Sequence, residues 1–252
     1  MRKMKFYITG LLILGTISTV FSQEERKVAL SFTVSPSVAW LESTNKGYEK
    51  EGNLLGVTYG LLADFRLFGV DNYSITTGLT MNHTGGKMKE PSYFKDQNDV
   101  VISAMTEAKY KLTYVDVPLA IRLKTNEIGY NVFYGVFGSE LGVNINASKT
   151  FVDTYTGSSM GEYTDDVSGD VNLFRSSLIF GAGIQRHISG KSFYRIGITY
   201  HNGLTNIFDK KALLVDYNNG VASTVIDKGA AIEDRKLATK LKYVELNLSI
   251  MF

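Results

Sequence analysis

Eight stretches of this chain alternate apolar and polar residues with a period of two, and nearly all run well beyond ten residues. Successive side chains of a β-strand point to opposite faces, so each stretch reads as a strand with one apolar and one polar face. The end of the chain shows it most cleanly. Val244, Leu246, Leu248, Ile250 and Phe252 occupy one parity, and Tyr243, Glu245, Asn247 and Ser249 occupy the other. The stretches cover residues 27–41, 53–68, 73–84, 108–124, 130–146, 171–188, 192–203 and 239–252. Segment 130–146 is the least regular, with apolar residues on both parities near Tyr130–Phe137. Pro36 and Pro118 fall inside predicted strands, where a bulge or strand end is expected, because proline donates no ladder hydrogen bond.

Strands of globular proteins average five or six residues, whereas a tilted strand crossing a membrane needs about 9–11. The connections alternate as well. Those at 69–72, 125–129 and 189–191 are short and carry Asp71-Asn72, Thr125-Asn126 and Ser189-Gly190, all turn formers. Those near 42–52, 85–107, 147–170 and 204–238 are long and polar. Short turns on one rim and long loops on the other predict an eight-stranded, antiparallel, up-and-down transmembrane β-barrel. Its short turns are periplasmic and its long loops extracellular.

In a membrane barrel the apolar parity faces lipid and the polar parity faces the lumen. The polar parity carries Asp64, Arg66, Asp116, Arg122, Glu140, Arg175, Arg195 and Glu245. Buried charges must be paired, and four acids against four bases suit an internal salt-bridge network. Eight strands enclose an interior just wide enough for its own side chains, so the lumen is expected to be plugged. Glycines on the same parity (Gly56, Gly60, Gly78, Gly181, Gly183, Gly197) suit a crowded interior. Trp40, Tyr73, Tyr110, Tyr130, Tyr194 and Tyr200, at strand ends, are candidates for interfacial aromatic girdles.

The first 22 residues have a basic start, Met1–Lys5, an uncharged apolar run over 6–21, and Ser22-Gln23 as a cleavage point. This is the layout of a secretory signal peptide, which leaves residues 23–252 as one exported domain. The 44% apolar content can fill a core, and no apolar stretch after residue 22 is long enough for a spanning helix. A formal charge of +2 without a later basic run argues against nucleic acid. The absence of cysteine excludes disulfides, thiolate metal sites and a cysteine nucleophile.

The string Tyr114-Val115-Asp116-Val117-Pro118-Leu119, followed by Ile121-Arg122-Leu123-Lys124, resembles a strand of the PorT-like outer membrane protein beta-barrel domain family of Bacteroidetes. Gly181-Ala182-Gly183-Ile184 and Gly203-Leu204-Thr205-Asn206-Ile207 resemble further segments of that family. The terminal Leu248–Phe252 resembles the C-terminal strand, ending in Phe252, that the barrel assembly machinery reads. Where the family mostly has Glu, this chain has Asp116. The resemblance implies residence in the outer membrane of a Gram-negative bacterium. It implies no single activity, although the namesake serves a protein-secretion system.

Sites for chemistry are sparse. His83, His187 and His201 lack metal-ligand spacing and are expected near loop rims or turns. Asp153, Glu162, Asp165 and Asp166 make an acidic loop without calcium-loop spacing. Neither a cofactor nor a metal is expected. The leading expectation is a non-enzymatic envelope protein in contact with outer-membrane lipid, with any protein partner held by the long loops, 204–238 above all. A small porin or transport component is the alternative. Less favoured are a rim enzyme using His83 or His201 with Asp209 or Asp216, and a soluble lipocalin-like barrel.

Overall fold

The structure, a computed structural model, describes residues 28–45, 47–95, 101–153, 160–189, 192–210, 215–218, 221–224 and 237–252. The expected signal segment and cleavage point lie outside these residues, as does about half of the 204–238 connection. In chain order the strands are β1 (Val28–Ser43), β2 (Glu49–Gly52), β3 (Leu54–Leu67), β4 (Val70–Lys95), β5 (Val101–Lys124), β6 (Asn131–Asp153), β7 (Met160–Asp166), β8 (Phe174–Ser189), β9 (Ser192–Gly203), β10 (Val215–Asn218), β11 (Val221–Thr224) and β12 (Thr239–Met251). One 3-10 turn, Ser168–Asp170, follows β7.

Eight strands close a ring in the order β1-β3-β4-β5-β6-β8-β9-β12, every pair antiparallel. The seam joins the first and last strands, from Ser31↔Met251 to Ser43↔Thr239. A closed sheet leaves no unpaired edge in lipid, where an unbonded backbone group costs several kcal/mol. Two of the linking turns are short, at 68–69 and 125–130, and β9 begins at Ser192 only three positions after β8 ends at Ser189. β2 and β7 extend the wall at the far rim by pairing with β4 and β6, and β10 and β11 form a separate hairpin.

Burial along β1 shows which face is inside. Ser31, Thr33, Ser35 and Ser37 are buried, while Leu30, Phe32, Val34 and Val38 are exposed. The same inversion runs round the ring, with Leu61, Leu79, Leu119, Ile121, Phe137, Ile198 and Leu248 outward. On β5 the outward apolar run from Val115 to Leu123 matches the 9–11 residues that cross a bilayer.

Above that band the polarity reverses. Met88, Ala108, Tyr110, Leu112, Leu41, Ile207, Phe208, Leu237 and Leu241 are buried in one apolar cluster, while Lys87, Glu107 and Lys111 point outward and are exposed. The strands therefore emerge from lipid into water as an ordinary β-structure with its apolar side inward. This corrects two expected loops. Residues 85–107 continue β4 and β5, paired as far as Lys95↔Val101, and β6 runs on to Asp153 before β7 returns along it. A bulge at Ile145, between Tyr114↔Asn144 and Thr113↔Asn146, switches the parity of β6, so that Ala147 faces inward.

The two prolines need neither the bulge nor the strand end expected for them. Pro36 pairs with Val57 and Pro118 with Glu140, and ladder pairs lapse beside them on one side only before resuming in the same register. The irregular stretch near Tyr130–Phe137 also resolves. Tyr134 points inward, with its ring 5.2 Å from the Arg122 guanidinium and its hydroxyl 2.6 Å from where a Cβ on Gly183 would lie. Only glycine at that position leaves room for the phenol.

Candidate functional site

The lumen is filled in three layers. At the periplasmic end Asp64 accepts from Arg122 at 2.6 Å and from Arg195 at 2.5 Å, and the Thr76 hydroxyl donates to it at 2.5 Å. Arg195 also donates to Gln185 at 2.9 Å. In the middle layer Arg175 bridges Asp116 at 2.6 Å and Glu140 at 3.0 Å, with its guanidinium 4.5 Å from the Tyr114 ring. Asn82 donates to Asp116, and the Tyr243 hydroxyl donates to Glu140 at 2.7 Å. Glu245 accepts from the Thr58 hydroxyl. Gly142 lies within this layer, paired with Asp116 on one side and Arg175 on the other. A side chain there would run into Asp116 and into Arg175 Nε, 2.8 Å away.

His201 completes the middle layer. Its ring nitrogens lie 3.5 Å from Glu140 and 3.4 Å from Glu245, and its plane stacks on Tyr243 with centroids 4.1 Å apart. The sequence reading placed this histidine at a rim, and the structure corrects that. β9 ends at Gly203 as expected, but its odd residues point inward, so His201 is buried, as Thr199 and Arg195 are lower on the same strand.

Seven of the eight lumen residues read from the sequence have buried side chains: Asp64, Asp116, Arg122, Glu140, Arg175, Arg195 and Glu245. The eighth, Arg66, shares their parity but lies one step closer to the turn, where it is exposed at the periplasmic mouth. Sequence reasoning had Arg66 as the fourth base of the interior, yet it is the His201 imidazole that stands between carboxylates there. Tyr243 was placed on the polar parity from the sequence, whereas Asn82, Tyr114 and Gln185 were not read as lumen residues, although their parity could have found them.

The third layer lies above the lipid band. Glu90 accepts from the Tyr110 hydroxyl at 2.6 Å and from Lys149, and Lys210 donates to the same hydroxyl at 3.0 Å. Burial, with the Glu90 carboxylate beside it, pushes the Tyr110 hydroxyl far up its scale, so it remains a donor. Burial also draws the Lys210 ammonium below its ordinary value. The Tyr110 ring packs on Phe208 at 4.8 Å and is fully buried. It therefore belongs to no girdle, contrary to expectation, because it shares the inward parity of Asp116. Trp40 stacked on Tyr200 at the outer rim, and Tyr73 and Tyr130 at the inner rim, do face outward. Between the layers lies a cavity of about 70 Å³, lined in part by Thr58, Thr76, Arg122, Glu140 and His201.

The remaining candidates do not converge. His83 lies on the outer wall, 3.2 Å from the Thr113 hydroxyl and stacked on Tyr59, whereas His201 is inside. His187 sits near the inner rim with its ring 5.1 Å from Phe193. The Asp209 backbone N–H donates to Asp170, and the Asp216, Asp153 and Glu162 side chains lie outside the described residues. Asp165 and Asp166 are on β7, and Asp166 accepts from the Ser168 N–H and hydroxyl, which holds its carboxyl below the usual range. Among the described residues no three His, Asp or Glu side chains are grouped to hold a metal. The Phe252 N–H donates to Leu30, and its ring is exposed.

An apolar exterior, a charged interior and a closed antiparallel ring define an integral β-barrel of the outer membrane. The chain belongs to the outer membrane protein beta-barrel domain family, whose profile matches residues 21–209. Its place is accordingly the outer membrane of a Gram-negative bacterium. Similar solved structures include neisserial surface protein A (8% identity, TM-score 0.42, covering 88% of this chain and 95% of that one). Ail, the attachment invasion locus protein of Yersinia pestis, is 12% identical with TM-score 0.34 and coverages of 89% and 97%. The outer membrane protease OmpT of Escherichia coli is 7% identical with TM-score 0.41 and coverages of 93% and 98%. No curated protein matches the chain.

Proposed function

We propose that this barrel is a non-enzymatic envelope protein with a plugged lumen, and that it works through the β-structure and loops above the membrane. One observation carries the reading: the lumen is closed twice, by the ion network inside the lipid band and by the Tyr110–Phe208 apolar cluster above it. A solute path would have to break both layers. The motif at Tyr114–Leu119 supports a place among the PorT-like members, and a rigid barrel lifting strands clear of the lipid suits the holding of a protein partner.

Planar-bilayer recording of the purified protein tests the plug. Silence at all voltages is the expected result, and discrete conductance steps would replace this reading with that of a small pore.

A further inference from the structure

We propose that the outer wall over β3, β4 and β5 is a binding site for one phosphorylated glycolipid of the outer leaflet. On β4 the ladder changes partner. Pairing with β3 ends at Val57↔His83, and pairing with β2 begins at Gly52↔Lys87. Thr84–Gly86 are left without a partner on that side, and on the other side of β5 the ladder bulges at Ile145. Between these two faults the wall is indented by a recess of about 450 Å³ lined by Lys111, Thr113, His83, Ser148 and, on the β3 side, Leu55 and Val57.

Directly below, two residues further along the same outward faces, lies an apolar groove of about 720 Å³ lined by Tyr59, Leu61, Leu79, Met81, Val115 and Val117. The steps from Val57 to Tyr59, His83 to Met81 and Thr113 to Val115 join recess to groove without a gap. The site is thus amphiphilic along one line: hydrocarbon below, hydroxyls and imidazole at the interface, ammonium groups above.

The charges say which headgroup fits. Lys87 and Lys109 are direct cross-strand partners on the outer face, and Lys111 follows on the same face. Like charges placed opposite one another destabilise a sheet. Of the carboxylates at this level, Glu51 and Glu107 are engaged by Lys89 at 3.0 and 3.9 Å, Glu49 is the cross-strand partner of that same lysine, and Asp166 accepts from Ser168. Among the described residues Lys87, Lys109 and Lys111 have no ion-pair partner, which leaves them open to an anion from outside the chain. Phosphate on a lipid whose acyl chain lies in the groove supplies that anion at the right height.

The test is native mass spectrometry of the protein in micelles with bisphosphorylated lipid A, dephosphorylated lipid A and inorganic pyrophosphate. The expected result is retention of the bisphosphorylated lipid, with affinity falling about a hundredfold in the triple variant Lys87→Gln, Lys109→Gln, Lys111→Gln. The corresponding triple Arg variant retains binding. Heat-modifiable migration on gels verifies that each variant is folded. Equal binding of phosphorylated and dephosphorylated lipid, or an unchanged triple Gln variant, overturns the proposal. Pyrophosphate binding as tightly as the lipid overturns it as well, in favour of a free-phosphate site. None of these outcomes bears on conductance, so this site and the plugged-lumen reading fail separately.

Discussion

Asp64 is the residue whose loss the interior can least absorb. It is 2% exposed and is the shared acceptor of two guanidiniums, Arg122 and Arg195. Removing one member of a buried ion pair leaves an uncompensated charge and costs about 3–5 kcal/mol. Asp64→Asn is therefore expected to lower stability by about that amount. Arg66→Ala, two residues away but at the exposed mouth, should change it by no more than about 0.5 kcal/mol. Urea unfolding in micelles, followed through Trp40, the single tryptophan, measures both. If the two substitutions cost the same, the layer does not hold the barrel together in this way. The contrast also shows what could be read from the sequence. Parity assigns a residue to a face and says nothing of its height, so Arg66 and Asp64 looked alike. His201 was on the correct parity, but its height was misjudged: β9 does end near it, at Gly203, yet β4, β5 and β6 rise on and the apolar cluster closes over that end.

The strands show why the barrel proper was legible and its upper part was not. Within the lipid band, apolar-out alternation is strict because both solvents are fixed: hydrocarbon outside, a polar network inside. Beyond Thr113 the outer solvent is water, and the same strand reads Lys111 and Lys109 outward, Leu112 and Tyr110 inward. The period is still two, but the sign has flipped. A search for lipid-facing apolar runs therefore stops at the interface and leaves 85–107 as loop. The bulge at Ile145 hides β6 in the same way, by shifting its parity midway. Because Glu90 and Thr106 are direct partners in this extension, residues 91–105 can be replaced by an Asn-Gly turn, which matches the twist of two antiparallel strands. That variant is expected to keep the urea midpoint of the full chain to within the spread of repeated measurements, since the described ion pairs of the lumen all lie below the cut. A large fall in the midpoint would mean that the upper hairpin holds the barrel closed.

As a whole, the molecule is two β-proteins of opposite polarity sharing one set of strands. The closed backbone ladder and the ion layers together resist detergent, so unboiled protein is expected to migrate faster than boiled protein on SDS gels. Identical mobility would argue against a sealed ring. The two ends also divide the work. The periplasmic rim is turned by connections of a few residues, while β2, β4, β5, β6 and β7 all rise past the outer interface. The upper surface is therefore built on ordered strands and not on loops alone.

The network is stitched across the closing seam. Ser35 of β1 donates to Asn247 of β12 at 3.2 Å, Ser249 of β12 donates to Thr33 of β1 at 3.0 Å, and Glu245 of β12 reaches Thr58 of β3. Each of these bonds joins residues from opposite ends of the chain, so none can form before the last strand arrives. An unclosed sheet would hold its charges half-matched against hydrocarbon, the least hospitable surroundings for them. Assembly is thereby made a race with one finish: whatever inserts the strands must keep the polar face sheltered until the hundreds of residues between the two ends have been threaded, and the last strand then acts as a zip fastener whose teeth are on the inside.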